Sequence, residues 1–171
     1  VIAGDAGLGA ASLDVISAVV TRPRNPSDVY GAVRAMRALV AEEKGDSGPL
    51  DLKLAPGGLL DLDFLVQALV LAHGARCPDL VGLPAPDVLT RAAGHGLLTQ
   101  DEAERLRAAY RQFDDVMHWQ RLMVAGDPGQ ASTVALTRLA VALGMPDAAH
   151  LRVRLDDHRA EVRGLFDRLL A

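Results

Sequence analysis

The sequence predicts an all-α fold, a helical bundle of about seven helices with one short extended segment. Three observations carry this. Hydrophobic residues make up 50% of the 171 residues but aromatics only 4%, so the core must be built from Leu, Val and Ala. Such a core suits packed helices better than a β-sandwich, which favours β-branched and aromatic residues. Apolar residues recur near the 3.6-residue period in one segment after another. All nine prolines fall between these segments rather than inside them.

Residues 4–20 read as the first helix, with Leu8, Leu13, Ile16 and Val20 as its apolar members. Pro23, Asn25 and Pro26 break it, and Ser27 can cap a second helix running to about Lys44. The apolar stripe of that helix reads Val29, Ala32, Val33, Met36, Leu39 and Val40, with Arg34 and Arg37 off the stripe and one turn apart. A loop at 45–49 leads to the expected extended piece, Asp51-Leu-Lys-Leu54, and then to Pro56-Gly57-Gly58. The third helix is expected from about Leu59 to His73.

Residues 74–86 hold Pro78, Gly82, Pro84 and Pro86 after Gly74 and read as a loop. A short helix follows from Asp87 to about His95. Thr99-Gln-Asp-Glu102 is a capping box, Thr at the cap and Glu three on, starting a helix that runs to about Val124 on Leu106, Tyr110, Phe113 and Met117. Gly126-Asp-Pro-Gly129 breaks it, a further helix is expected over about 132–143, and the last over about 147–170. The stripe of the last helix is Leu151, Leu155, His158, Val162, Leu165, Phe166 and Leu169.

The bulk numbers exclude several function classes. The net charge is −4 and the pI near 5.7, which argues against a nucleic-acid binder, because basic surface dominates such affinity. The single cysteine, Cys77, excludes an internal disulfide and fits a reducing, cytoplasmic compartment. The longest apolar run, around 59–72, is interrupted by Asp61, Asp63 and Gln67 and is shorter than the ~20 residues a membrane span needs. The chain opens at Val1 without an initiator Met, so the expectation is a single helical domain, 1–171, cut from a longer multidomain protein.

The third helix organises the rest. Leu59, Leu62, Leu65, Val66, Leu69 and Val70 fill one face, and Leu60, Phe64, Ala68 and Leu71 make a second nearly opposite. A helix apolar all round is expected to be buried all round, at the centre of the bundle or under a missing cover. Asp63 and Gln67, four apart, share the narrow polar strip that is left.

Asp61-Leu-Asp63 after Gly57-Gly58 superficially resembles the two-carboxylate metal site of a nucleotidyltransferase. On a strand that spacing would put both carboxylates on one face. On a helix a two-residue step turns about 200°, so no metal site is expected here. Asp61 then reads as a first-turn carboxylate complementing the helix dipole. Asp63 and Gln67 read either as a buried polar pair, satisfied by backbone, Lys53 or an arginine of the second helix, or as a strip facing another domain or a nucleotide. Lys53 could reach a phosphate or pair with Asp51 or Asp61, and Arg34 and Arg37 are solvated charges or anion contacts. The five histidines are scattered with no i, i+4 pair, and no zinc, P-loop or dinucleotide pattern is present. His158, on an apolar stripe, is expected to be a hydrogen-bonded core residue.

Asp51-Leu-Lys53-Leu, then Pro56-Gly57-Gly58-Leu59-Leu60-Asp61-Leu62-Asp63-Phe64 and Gln67, resembles the hallmark of the glutamine synthetase adenylyltransferase and adenylyl-removing family. Val33-Arg34-Ala-Met36-Arg37, the capped helix from Gly96 to Tyr110, and His158 to Leu170 resemble further parts of that family. The likeness spans nearly the whole chain and is weakest at about 74–90 and 126–147. Asp63 stands where Glu is usual, and Leu60 where Arg is common in one half of the family.

The resemblance implies the helical domain alone of an enzyme in which each half pairs such a domain with a nucleotidyltransferase domain. The catalytic carboxylates of that family lie in the nucleotidyltransferase part, so no catalytic residue is expected in this chain. The C-terminal half is implied, because Gly126-Asp-Pro-Gly-Gln-Ala-Ser132 differs from the stretch usual in the first half. That half transfers AMP from ATP to a tyrosine of glutamine synthetase, using Mg²⁺, under control of glutamine and the PII signal protein. On this reading the chain docks on its own nucleotidyltransferase domain through Lys53, Gly57, Gly58, Asp61, Asp63 and Gln67, with Arg34 and Arg37 nearby, and is inactive alone. The alternatives are a stand-alone helical interaction module, or the related helical domain of a PII uridylyltransferase.

Overall fold

The computed structural model describes residues 4–45, 50–123 and 133–171. Among them the chain forms seven α-helices: α1 (Ala6–Val20), α2 (Pro26–Lys44), α3 (Leu59–His73), α4 (Ala85–Gly94), α5 (Gln100–Met123), α6 (Thr133–Ala142) and α7 (Ala148–Leu169). A single 3-10 turn, Pro78–Leu80, lies between α3 and α4. No strand occurs among the described residues, and no described helix is long and apolar enough to cross a membrane. The expected break at Gly126–Gly129, and the end of α5 at Val124, lie outside the described residues.

Local signals set most boundaries. Asn25, not Ser27, caps α2: its side chain accepts from the Ser27 amide at 3.1 Å, with Pro26 in the first helical position. The capping box forms as expected. The Thr99 amide donates to Glu102 at 2.8 Å, and the Glu102 amide donates to the Thr99 hydroxyl at 3.2 Å. Glu102 also pairs with Arg168, so the same carboxylate that starts α5 fastens it to the end of α7. These hydrogen bonds, the one from the Thr99 amide first, hold the Glu102 carboxyl below its ordinary range against the opposing effect of burial. At α7, Asp147 accepts from the amides of Ala149 and His150.

α3 is the central helix. It packs against α2, α4, α5 and α7, while α5 packs on α4, α6 and α7. Leu62, Leu65, Ala68 and Leu69 vanish into this contact with Leu89, Leu106, Phe113, Leu155 and Phe166. Yet α3 is not buried all round. Asp63 and Gln67 are exposed, and Leu60, Phe64 and Leu71 are half-buried on the side next to α2. His158 is half-buried on the α7 stripe and meets Phe113 edge-on, ring centroids 6.2 Å apart. Its Nδ1 has no hydrogen bond, so the expected hydrogen-bonded core histidine is instead a ring packed against a ring, with Glu161 3.6 Å away.

Two expectations for the chain before α3 are corrected. Asp51-Leu-Lys-Leu54 is not extended but a series of turns. The Asp51 carboxylate accepts from the amides of Lys53 and Leu54, at 3.1 and 2.8 Å, and folds the chain over itself. The alternation of Leu50, Leu52 and Leu54 imitates a strand, but Leu50 and Leu52 are buried as side chains of a turn. In α2, the core-facing side is Val29, Val33, Arg37 and Val40, while Met36 and Leu39 are 52% and 53% exposed. The stripe expected from hydrophobicity is thus rotated by about one position, because a charged residue is buried in place of an apolar one.

Gly57 and Gly58 each have a defined reason to be glycine. Gly57 has φ +76°, and a Cβ there would stand 2.0 Å from the Arg159 carbonyl oxygen of α7. Gly58 has an ordinary φ, but its Cβ would stand 2.6 Å from the Leu52 oxygen and 2.9 Å from that of Ala55. The pair lets the turn press backbone to backbone against α7 on one side and itself on the other. Gly82 provides a control, since it has φ +81° with open space around it. Gly82→Ala should cost roughly 1–2 kcal/mol, the ordinary penalty of the left-handed region. Gly57→Ala should cost clearly more, seen as a larger drop in thermal midpoint. Equal losses at the two positions would show that the α7 contact does not matter.

Candidate functional site

The Gly-Gly turn is built around a buried carboxylate. Asp61, in the first turn of α3, is 0% exposed. One of its oxygens accepts from Nε of Arg37, and the other from the Gly57 amide at 2.7 Å and from Nη1 of Arg163 at 3.3 Å. Arg37, 4% exposed, also donates through Nη2 to the Leu54 carbonyl at 2.9 Å. Four parts of the chain therefore meet at one carboxylate: α2 through Arg37, the turn through Gly57, α3 itself, and α7 through Arg163. Arg163 is held in turn by a fork to Asp167, at 2.9 and 2.5 Å, and by the Phe166 ring 5.1 Å from its guanidinium carbon.

The sequence leaves Asp63 and Gln67 as either a buried polar pair or an outward-facing strip, and Asp61 as a dipole carboxylate. The buried pair does not form. Asp61 is in the first turn, as expected, but it is also the buried, paired carboxylate. Asp63 and Gln67 are exposed and point to different neighbours. Asp63 lies between Lys53 and Tyr110 of α5. Desolvation raises its carboxyl above the ordinary range, and the Lys53 ammonium partly opposes that. Burial first, then the charges of Asp63 and Asp114, raises the Tyr110 phenol. Gln67 instead lines a groove of ≈ 580 Å³ between α2 and α3, with Val33, Met36, Phe64 and Leu71. Lys53 is exposed beside Asp63, not paired with Asp61, and Arg34 is exposed one turn before Arg37. Arg163 was missed because nothing local marks it; it lies 102 residues from its partner Asp61.

The donor set does not fit a magnesium site. Both oxygens of Asp61 are occupied by two guanidinium groups and an amide, and Asp63 faces a lysine and a phenol. Among the described residues no group of three or more His, Cys, Asp and Glu side chains could hold a metal ion. What the arrangement can do is mechanical. It fixes the entry angle of α3 relative to α2 and α7, and so fixes the relative places of Lys53, Asp63 and Gln67.

Further apolar side chains are exposed outside the groove. On α1, Leu8 is 69% exposed, and Leu13, Val15, Ile16 and Val19 are also exposed. Met36 and Leu39 of α2 are exposed as well. The expected packing of Leu8, Leu13 and Ile16 into the bundle therefore does not occur within the described residues.

Asp61→Asn should destabilise the chain by about 3–5 kcal/mol, because it leaves the buried Arg37 guanidinium without its counter-charge, while Arg163 keeps Asp167. Chemical denaturation would read the loss, and a change near zero would contradict the buried-pair assignment. Asp63→Asn should behave oppositely and depend on pH. Its folded carboxyl is raised, so its contribution to stability is full below the unfolded value and is lost as pH rises through the folded one. The Asp63→Asn variant should therefore melt above wild type at neutral pH, with the gap closing in acid. A pH-independent gap would contradict the shift.

The sequence comparisons bear on what this arrangement belongs to. A family profile described as GlnD PII-uridylyltransferase matches residues 34–170. Among curated proteins, a bifunctional glutamine synthetase adenylyltransferase/adenylyl-removing enzyme of Xanthobacter autotrophicus is 40% identical over 99% of this chain. Enzymes of the same name from Bradyrhizobium diazoefficiens and Rhodopseudomonas palustris (strain BisB5) are 38% and 39% identical over 99% and 91% of it. The chain spans 16–17% of the length of these relatives. It belongs to the GlnD PII-uridylyltransferase family and is homologous to one region of the bifunctional glutamine synthetase adenylyltransferase/adenylyl-removing enzymes.

Proposed function

We propose that this chain is an accessory helical domain of a cytoplasmic enzyme that adenylylates a tyrosine of glutamine synthetase, and whose other half removes the adenylyl group. The domain packs on a nucleotidyltransferase domain and is not catalytic alone. ATP and Mg²⁺ serve that other domain, and the PII signal protein and glutamine regulate the whole. The region is that of the C-terminal half.

The observation that carries the reading is the uncovered apolar side. α1, α2 and the α2–α3 groove present Leu8, Ile16, Met36, Leu39, Phe64 and Leu71 to the outside, in a chain that is a sixth of its relatives' length. A 15-residue helix with so little packing is marginal in water, so it needs a cover to persist. The exposed Gln67 lines the groove and supplies a polar group there, as at ordinary domain interfaces. The Asp61 network fixes the start of the helix that carries it.

The family profile favours one second reading, an equivalent domain of a PII uridylyltransferase. The two differ in the nucleotide transferred and in the acceptor. Full-length protein assayed with glutamine synthetase and ATP, and separately with PII and UTP, should transfer AMP to the former; UMP transfer to PII instead would establish the second reading.

The 171-residue chain alone should show no AMP transfer, and turnover by it would overturn the accessory role. In the full-length protein, Met36→Glu should cut AMP transfer several-fold while leaving the thermal midpoint of the isolated chain within about 1 °C, since Met36 is exposed there. Unchanged transfer would remove the groove from the interface. For Asp63→Asn, unchanged AMP transfer together with an unchanged response to glutamine and PII would remove that carboxylate from function.

A further inference from the structure

We infer a phosphoryl-binding pocket between α2, the Gly-Gly turn and α7, formed by Arg34, Arg37 and Arg163. The hollow has a volume of ≈ 400 Å³ and is floored by Pro56 and Phe166. It exists because α2 carries small residues on this side. Arg34, Ala38 and Ala41 repeat at helical spacing, and the two alanines leave room beside the arginines.

The three guanidinium groups are in different states. Arg37 is buried and fixed by Asp61 and the Leu54 carbonyl, which orients its remaining N–H groups. Arg163 is fixed by Asp61, by Asp167 and by the face of Phe166. Arg34 is exposed and makes no hydrogen bond or ion pair among the described residues. Three positive groups thus face two carboxylates, Asp61 and Asp167, around one hollow. The excess is one positive charge, carried by the only one of the three without a partner.

The chemistry of the ligand follows from Asp167. A monocarboxylate already occupies the outer fork of Arg163. A second monocarboxylate would gain little by replacing it. A phosphoryl dianion carries twice the charge and presents oxygens in several directions, so it can bridge Arg34 and Arg163 while Asp167 swings away into solvent. Asp167 is exposed and can do so. The pocket is distinct from the α2–α3 groove, lies on the other side of α2, and does not depend on the docking proposal.

The test is calorimetric titration of inorganic phosphate into the full-length protein, its Arg34→Ala variant and its Asp167→Asn variant. Arg34→Ala should weaken this binding event about ten-fold or more, the loss of one charge-assisted contact. Asp167→Asn should tighten it several-fold by freeing Arg163 and removing a competing charge. Phosphate bound anywhere else in the protein would be unaffected by either change. Absence of any difference among the three proteins would overturn the pocket. Acetate binding that matches phosphate and responds equally to both variants would overturn the phosphoryl assignment.

Discussion

One buried carboxylate constrains the rest of this structure. Asp61 lies where α2, α3, α7 and the Gly-Gly turn converge, and its two oxygens are divided among Arg37, Arg163 and the Gly57 amide. Burying it without those partners would cost several kcal/mol. With them, it specifies geometry more than it adds stability. An apolar cluster could hold three helices together at many crossing angles, whereas this network is satisfied at one. The two glycines serve the same end from the backbone side, because only they let the turn lie against the Arg159 and Leu52 carbonyls.

This placement separates two roles that lie two residues apart. Asp61 points inward and fixes the frame. Asp63 points outward, beside Lys53, with a carboxyl that desolvation makes harder to ionise. The helical step between them sets them on opposite sides, which is why they cannot share a metal ion. α1 and the α2–α3 groove present apolar side chains outward, and Gln67 adds a polar group at the groove. That combination is the ground for reading the chain as one body of a larger enzyme, and it agrees with relatives six times as long.

Much of the fold was legible in the sequence where the signal was local. α3 runs over Leu59–His73 as its apolar run and flanking glycines indicate. The Thr99–Glu102 box starts α5, and the α7 stripe from Leu151 to Leu169 faces the core. The failures arose where a distant partner decides. Arg37 shares a face with Val29, Val33 and Val40, but α2 also has an apolar face through Met36 and Leu39, and hydrophobicity alone selects the wrong one. Only a carboxylate 24 residues on makes Arg37 the buried choice. Likewise no local pattern tells which of Asp61 and Asp63 is buried, and the Asp51 turn imitates a strand because its leucines alternate.

The most direct test of this account is a double-mutant cycle on Arg37→Met and Asp61→Leu, followed by chemical denaturation. The account predicts that each single change is severely destabilising and that the double variant recovers much of the loss, giving a coupling of about 2 kcal/mol or more. Losses that add to within about 0.5 kcal/mol would mean that the two residues act independently. In that case the Gly-Gly turn would not be held by the buried ion pair, and the frame proposed for the exposed surface would fail with it.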